Sequence, residues 1–232
     1  MSRLYGLGLG PGDPELITLK AWRIISHAPV IAYLSANGGL STARDIAKPF
    51  IPEDCIELPI DMPMRVERAP GEAAYDAGAA AIRRHLDAGR DVAVLCEGDP
   101  FFYGSFMYLF ARLSQDYETI VVPGVTSITA AAAQIGRPLV ARNEVLKVLP
   151  ATLEADRLRE ELLTAESVAI IKVGRHFGKV RDILGTLDLS QHAVVIERAT
   201  QGDERIAKLS DVEGDTLPYF STILIYTGGE KW

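Results

Sequence analysis

The stretch that most constrains the fold runs from Asp91 to Leu113. Asp91-Val92-Ala93-Val94-Leu95 reads as a short buried strand, an apolar and β-branched run opened by a charge. From Ser105 onward apolar residues recur at helical spacing, with Phe106, Leu109, Phe110 and Leu113 on one face. Between them lies Cys96-Glu97-Gly98-Asp99-Pro100-Phe101-Phe102-Tyr103-Gly104, a strand-to-helix turn. In α/β sheets, ligands bind outside the carboxyl ends of the strands. Gly98 lets a ligand approach the backbone, Asp99 offers an acceptor for hydroxyls or a cationic amine, and Pro100 biases Asp99 towards an extended conformation. Phe102 and Tyr103 can wall a flat organic group. An ordinary Gly-Asp-Pro corner with two core aromatics explains the same residues.

Two more strand ends carry the same kind of loop. Leu4 to Leu9 runs into Gly8-Leu9-Gly10-Pro11-Gly12-Asp13-Pro14, after which Thr18 or Asp13 caps a helix expected to turn Leu19, Trp22 and Ile25 inward. No Gly-Lys-Ser/Thr follows, so this is not a P-loop, and no Gly-x-Gly-x-x-Gly window fits it. Thr119 to Pro123 ends in Gly124-Val125-Thr126-Ser127 ahead of a small-residue helix, whose free N–H groups lie at that end. Thr126 or Ser127 serves equally as a simple cap. Two such loops one strand apart make a shared cleft a reasonable expectation.

Elsewhere the pattern continues as α/β. Strands are expected at 28–34 and 54–59, an irregular loop at 61–71, and a helix at 73–88 with Tyr75, Ala79, Ile82 and Leu86 inward, closed by Gly89. Gly136 to Val140 reads as a hinge, dividing the chain into domains 1–138 and 139–232. The second half carries strands near 144–149, 167–173 and 193–197. Its last strands, at 205–209 and 221–227, are expected to pair antiparallel because their connections are short.

Composition removes several function classes. With 24 Lys and Arg against 31 Asp and Glu, the net charge of −7 argues against general nucleic-acid binding. No apolar run approaches the roughly 20 residues a membrane span needs. The N-terminus lacks the layout of a signal peptide, so a cytoplasmic location is expected. Cys55 and Cys96 are too few for a disulfide framework or a cysteine zinc site, and the four His show no metal-ligand spacing. No Gly-x-Ser-x-Gly elbow and no acid pair stands out. What remains is a set of strand-end loops suited to a reactive cofactor, with the protein supplying binding and orientation.

In order and spacing, Gly8-x-Gly10-Pro11-Gly12-Asp13-Pro14, Gly98-Asp99-Pro100-x-x-Tyr103-Gly104 and Pro123-Gly124-Val125-Thr126-Ser127 resemble the tetrapyrrole methylase family over essentially the whole chain. Ser41-Thr42-Ala43-Arg44 with Ile46, Ser105 to Leu109, and Pro218 to Ser221 are similar to the branch that methylates precorrin-2 at C-20 in cobalamin synthesis. The resemblance implies two α/β domains with S-adenosylmethionine in a cleft between them, a mixed sheet in the second domain, and a homodimer. It implies that Pro11, Glu97, Gly98, Asp99, Phe102, Tyr103, Thr126, Ser127, Val173 and Ala199 line the cofactor. Ala199 stands where the family often has glycine. Pro11 would sit at the mouth of the site, with Gly12 and Asp13 towards the tetrapyrrole. From charge alone, Arg44, Lys48, Arg65 and Arg68 are the expected partners of the substrate carboxylates. No side chain is assigned as acceptor of the meso proton, and no metal is expected. Three other readings stay open: a family member acting elsewhere on the macrocycle, a nicotinamide-dependent oxidoreductase, and a non-enzymatic binder. The second lacks both the glycine fingerprint and an acidic residue after the second strand, where Tyr33-Leu34-Ser35 stands.

Overall fold

The computed structural model describes residues 2–36, 39, 41–63 and 68–229, with residues 68–70 as backbone only. The chain divides into two compact units, Met1–Thr126 and Ser127–Trp232.

The first unit contains β1 (Arg3–Gly8), α1 (Leu19–Ile25), β2 (Val30–Ala36), α2 (Thr42–Ala47), β3 (Ile56–Met62), α3 (Arg68–Asp87), β4 (Val92–Cys96), α4 (Phe106–Leu113) and β5 (Glu118–Val122). Its strands form one sheet in the order β3-β2-β4-β1-β5, and every pairing is parallel. A parallel sheet must be covered on both faces. One face packs Leu4, Val30 and Val94 under Ile82 and Leu86 of α3 and Phe106 and Leu109 of α4. The other packs Leu7, Ile31 and Leu95 under Ala21, Ile25 and Ile46. As expected from the spacing, Tyr75, Ala79, Ile82 and Leu86 all turn inward from α3, and Gly89 closes it at φ +78°.

Three local expectations change. On α1, Ala21 and Ile25 face the core, four residues apart, while Leu19 is 79% and Trp22 43% exposed. The helix is only 7 residues long, so it offers a narrow inner stripe. Thr18 caps it through Ala21 N–H at 3.2 Å, and Asp13 instead caps the short turn at Pro14–Leu16. The third strand lies two to three residues later than 54–59, and it accommodates Pro59 because β3 is an edge strand. The helix expected from 73 already begins at Arg68. Of the irregular loop, residues 64–67 lie outside the described residues.

The second unit contains α5 (Ser127–Ile135), β6 (Leu146–Pro150), α6 (Ala155–Leu162), β7 (Ser167–Ile171), α7 (Phe177–Thr186), β8 (Ala193–Glu197), β9 (Arg205–Lys208) and β10 (Ser221–Tyr226). Its sheet, β6-β7-β10-β8-β9, is mixed: β6 and β7 run parallel, and β10 runs antiparallel to both β7 and β8. The antiparallel closing strands therefore agree with the short connections. Because β10 separates them, β7 and β8 end at the same edge, where β10 begins. α5 packs against β10 and so belongs with this unit. Gly136 ends α5 at φ +71°.

On the α4 face of the first sheet, Gly6 sits beneath the Phe106 ring, and a Cβ there would lie 2.5 Å from Phe106 Cδ1. The substitution Gly6→Ala should therefore cost about 1–3 kcal/mol, the range for overpacking a close-packed core. Adding Phe106→Leu should return part of that loss. Urea unfolding of the two single variants and the double variant measures both effects.

Candidate cofactor-binding site

At the carboxyl end of the first sheet, the loops after β1, β4 and β5 meet through their backbones. Strand order places β1 between β4 and β5, so these three ends are neighbours. Gly10 and Gly98 exchange hydrogen bonds, with Gly98 N–H donating to Gly10 O at 2.8 Å and Gly10 N–H to Gly98 O at 3.2 Å. A Cβ on Gly8 would lie 2.5 Å from Gly124 N and 2.8 Å from Gly98 O. A Cβ on Gly124 would collide with Gly98 O and approach Gly8 Cα to 2.8 Å. Any side chain at Gly8 or Gly124 would push the loops apart. Gly98 differs: at φ +64° its missing Cβ has, among the described residues, only Val125 O nearby, at 3.9 Å. Its backbone is bare on that side, where a ligand can approach it.

Asp99 holds this arrangement together. Its Oδ1 accepts from Phe101 N–H at 2.9 Å and Phe102 N–H at 3.1 Å. Its Oδ2 accepts from Gly124 N–H at 3.0 Å. The carboxylate thus folds its own turn and ties that turn to the loop after β5. Tyr103 follows at φ +55°, which presents its ring to solvent, edge-on to half-buried Phe102 with centroids 5.3 Å apart. Gly104 then fits against the carbonyls of Asp99 and Pro100.

Glu97 precedes this turn with an enclosed carboxyl. Its Oε1 accepts from Ala43 N–H at 3.1 Å, fastening the start of α2 to the end of β4. Burial raises its pKa above the ordinary carboxylate value, against the opposing pull of backbone hydrogen bonds from Glu97 and Ala43. Cys96 is buried beside Ser105, and burial pushes its thiol up to about 11, so it is no thiolate at neutral pH.

The remaining expected residues separate into groups. Pro11 is buried, Gly12 and Asp13 are half-buried, and Asp13 Oδ1 accepts from Glu15 N–H at 2.9 Å. Thr126 ends the loop after β5, and Ser127 opens α5. In the second unit Val173 and Ala199 are both buried, directly after β7 and β8. They are flanked by Lys172, Arg198 and Thr200 at φ +56°, +49° and +67°. Such conformations cost non-glycine residues of order 1–3 kcal/mol each and concentrate at functional sites. Nothing in the sequence marked them, because a positive φ on Lys, Arg or Thr has no compositional signal.

The expected carboxylate partners fare differently. Arg44 is not an open anchor: its Nε and one terminal nitrogen each donate to Glu57 at 2.9 Å in a bidentate pair. The Arg44 fork holds the Glu57 carboxyl below its usual range, and burial raises the phenol of nearby Tyr33. Lys48 is exposed. Arg65 and the Arg68 side chain lie outside the described residues.

Residues 3–213 match the family model of Tetrapyrrole (Corrin/Porphyrin) Methylases. The chain belongs to the tetrapyrrole methylase family. A precorrin-2 C(20)-methyltransferase of Sinorhizobium is 38% identical over 97% of this chain and 95% of its own length. A cobalamin biosynthesis protein CobIJ of Mycobacterium bovis is 42% identical over 98% of this chain but 46% of its own, so the chain spans about half of that relative. Uroporphyrin-III C-methyltransferase from Thermus thermophilus, solved with S-adenosylhomocysteine, shares the fold at a TM-score of 0.71 and 24% identity, covering 97% of this chain and 92% of that one. The three glycine loops that carry the methylase resemblance are thus also those that meet at the carboxyl end of the first sheet.

Two outcomes follow for this methylase. Gly124→Ala should lower stability by about 1–3 kcal/mol through backbone displacement and weaken S-adenosylhomocysteine binding, read by thermal unfolding and calorimetric titration. Glu97→Gln keeps the acceptor for Ala43 N–H but removes a carboxyl whose folded pKa is raised. The stability that the protonated acid contributes is fully present below the ordinary carboxylate pKa and is lost as pH rises through the folded value. The Gln variant should therefore gain in Tm relative to the parent between pH 4 and pH 8, and a gap constant over that range would contradict the assigned burial.

Proposed function

We propose that the chain transfers the methyl group of S-adenosylmethionine to the C-20 meso carbon of precorrin-2. The observation that carries this reading is the match over nearly the full length of both chains to a relative named for that reaction. A further relative, of Salmonella typhimurium, is named for cobalt-precorrin-2, so precorrin-2 and cobalt-precorrin-2 are both proposed acceptors.

The residues fit such a cofactor. The bare face of Gly98 and the fixed turn at Asp99 give it backbone to lie against, and the expected lining comprises Pro11, Glu97, Gly98, Phe102, Tyr103 and Thr126 from the first unit. Ser127, Val173 and Ala199 are the lining proposed from the second. When bound, S-adenosylmethionine supplies an electrophilic methyl group. Asp99, its oxygens engaged by backbone N–H groups, contributes by keeping the loops in place. Gly12 and Asp13 are proposed to face the tetrapyrrole.

The chain's part in the reaction is orientation. The buried Cys96 thiol has a pKa of about 11 and supplies no nucleophile. An enamine-like meso carbon is already nucleophilic, and ideal positioning of two reactants is worth on the order of 7–11 kcal/mol. The assembly proposed with this reading is a cytoplasmic homodimer, which light scattering on the purified protein tests. No helix among the described residues is long and apolar enough to cross a membrane.

The deciding assay is an anaerobic incubation with labelled S-adenosylmethionine, offering precorrin-2 and cobalt-precorrin-2 in parallel. One added methyl, located at C-20 by NMR on either substrate, is the expected outcome. A methyl at another carbon would move the chain to another branch of the family. Cofactor binding without transfer to either substrate would leave a binding protein.

A further inference from the structure

Arg44 is paired with Glu57, which leaves Lys48, Arg65 and Arg68 as the proposed carboxylate partners in the first unit. The edge of the second sheet where β7 and β8 end and β10 begins supplies another. Arg175 lies in the short turn Gly174–His176 after β7 and is exposed. Its Nε approaches His176 Nε2 at 3.4 Å, and among the described residues it has no carboxylate partner. Burial first, then Lys179 and Arg175, lower the pKa of His176, so the imidazole is neutral at pH 7 and accepts from the Arg175 Nε–H without competing for an anion. Two acids of this unit are paired with other arginines, Asp215 with Arg181 at 2.7 Å and Asp203 with Arg198 at 3.1 Å.

The segment entering β10 is fastened to this edge at successive points. Asp215 O accepts from Gly178 N–H at 3.0 Å, and Leu217 N–H donates to Gly174 O at 3.0 Å, inside the turn that carries Arg175. Pro218 O accepts from Ser221 Oγ at 2.8 Å. Phe220 O accepts from Arg198 N–H at 2.7 Å, beside Ala199. Between these fixed points Tyr219 is 69% exposed, the most exposed large apolar residue among the described residues of the second unit. An aromatic ring on so well-held a segment loses little entropy on binding a flat partner.

We infer that the loops carrying Arg175 and Tyr219, joined by the Leu217–Gly174 hydrogen bond, form a subsite for a flat, carboxylate-bearing macrocycle. Arg175 takes a peripheral carboxylate through its planar fork, and Tyr219 packs on the ring system. The inference rests on the tetrapyrrole reading above for the identity of the ligand. It assigns these two residues to substrate recognition, with no part in holding the cofactor.

The test uses the full chain and the variants Arg175→Ala, Arg175→Lys, Tyr219→Ala and Tyr219→Phe. Three quantities are measured: anaerobic binding of precorrin-2 followed by its visible absorption, KM and kcat for methyl transfer, and the Kd for S-adenosylhomocysteine. Arg175→Ala should weaken precorrin-2 binding and raise its KM by about tenfold or more, as expected for a lost charge-assisted bond. Arg175→Lys should fall between Ala and the parent, and Tyr219→Phe should stay near the parent while Tyr219→Ala does not. The Kd for S-adenosylhomocysteine should be unchanged throughout. Unchanged precorrin-2 binding in Arg175→Ala and Tyr219→Ala would overturn the inference, as would an equal loss of S-adenosylhomocysteine binding. A parent chain that binds precorrin-2 through Arg175 but transfers no methyl would remove the reaction proposed above and retain the subsite.

Discussion

Backbone packed on backbone at the carboxyl end of the first sheet is the contact on which the candidate site depends. Gly8, Gly98 and Gly124 come from three separate strand ends, yet a Cβ on Gly8 would reach both of the others. Side chains normally keep adjacent loops apart, and these glycines remove that spacing. The parallel register then matters, because Gly8 pairs with Cys96 and Leu7 with Val122, so β1, β4 and β5 end within a residue or so of one another. Asp99 completes the arrangement by bonding Phe101, Phe102 and Gly124 N–H groups at once. Buried backbone donors need partners, and one carboxylate here satisfies donors from two loops. The rigidity this gives comes from local geometry and not from a larger core.

Charge in the first unit is used in two opposite ways. Arg44 and Glu57 form a half-exposed bidentate pair that stabilises the ionised carboxylate, and its strength lies in the fork geometry. Glu97 has no cation beside it among the described residues and is driven towards its neutral form by burial. Both link α2 to the sheet, the first through β3 and the second through the end of β4. The Ser41–Arg44 stretch is therefore held from two sides.

The strands and most helices were legible because burial on both faces of a parallel sheet leaves continuous apolar runs such as Val92–Cys96, and because Gly89 and Thr18 mark helix ends. The inner face of α1 was not, since a helix of seven residues shows too little periodicity to choose between Leu19 and Ala21. The glycine loops were legible as sites of close approach, although not what approaches them. For Gly8 and Gly124 the near neighbour is another loop of the same unit. Asp99 looked like an acceptor for ligand hydroxyls because its type and position allow it, whereas its oxygens are engaged by the backbone. Which partner a carboxylate takes depends on contacts 25 residues away along the chain, and spacing within one motif carries no record of them.

The same reasoning governs the cations. Arg44 and Arg175 are equivalent by composition, and both stand near loops that resemble family motifs. They differ in what lies within reach of the guanidinium: Glu57 at 2.9 Å for one, a neutral imidazole at 3.4 Å for the other. A paired arginine must give up a charge-assisted bond before it can bind a ligand carboxylate, so its net gain is small. An exposed arginine without a carboxylate partner gives up only water. Affinity for an anionic ligand is therefore concentrated at cations the fold leaves without a carboxylate, held on backbone that is already fixed. In the second unit the Gly174–Leu217 bond fixes that backbone, and Tyr219 lies two residues beyond it.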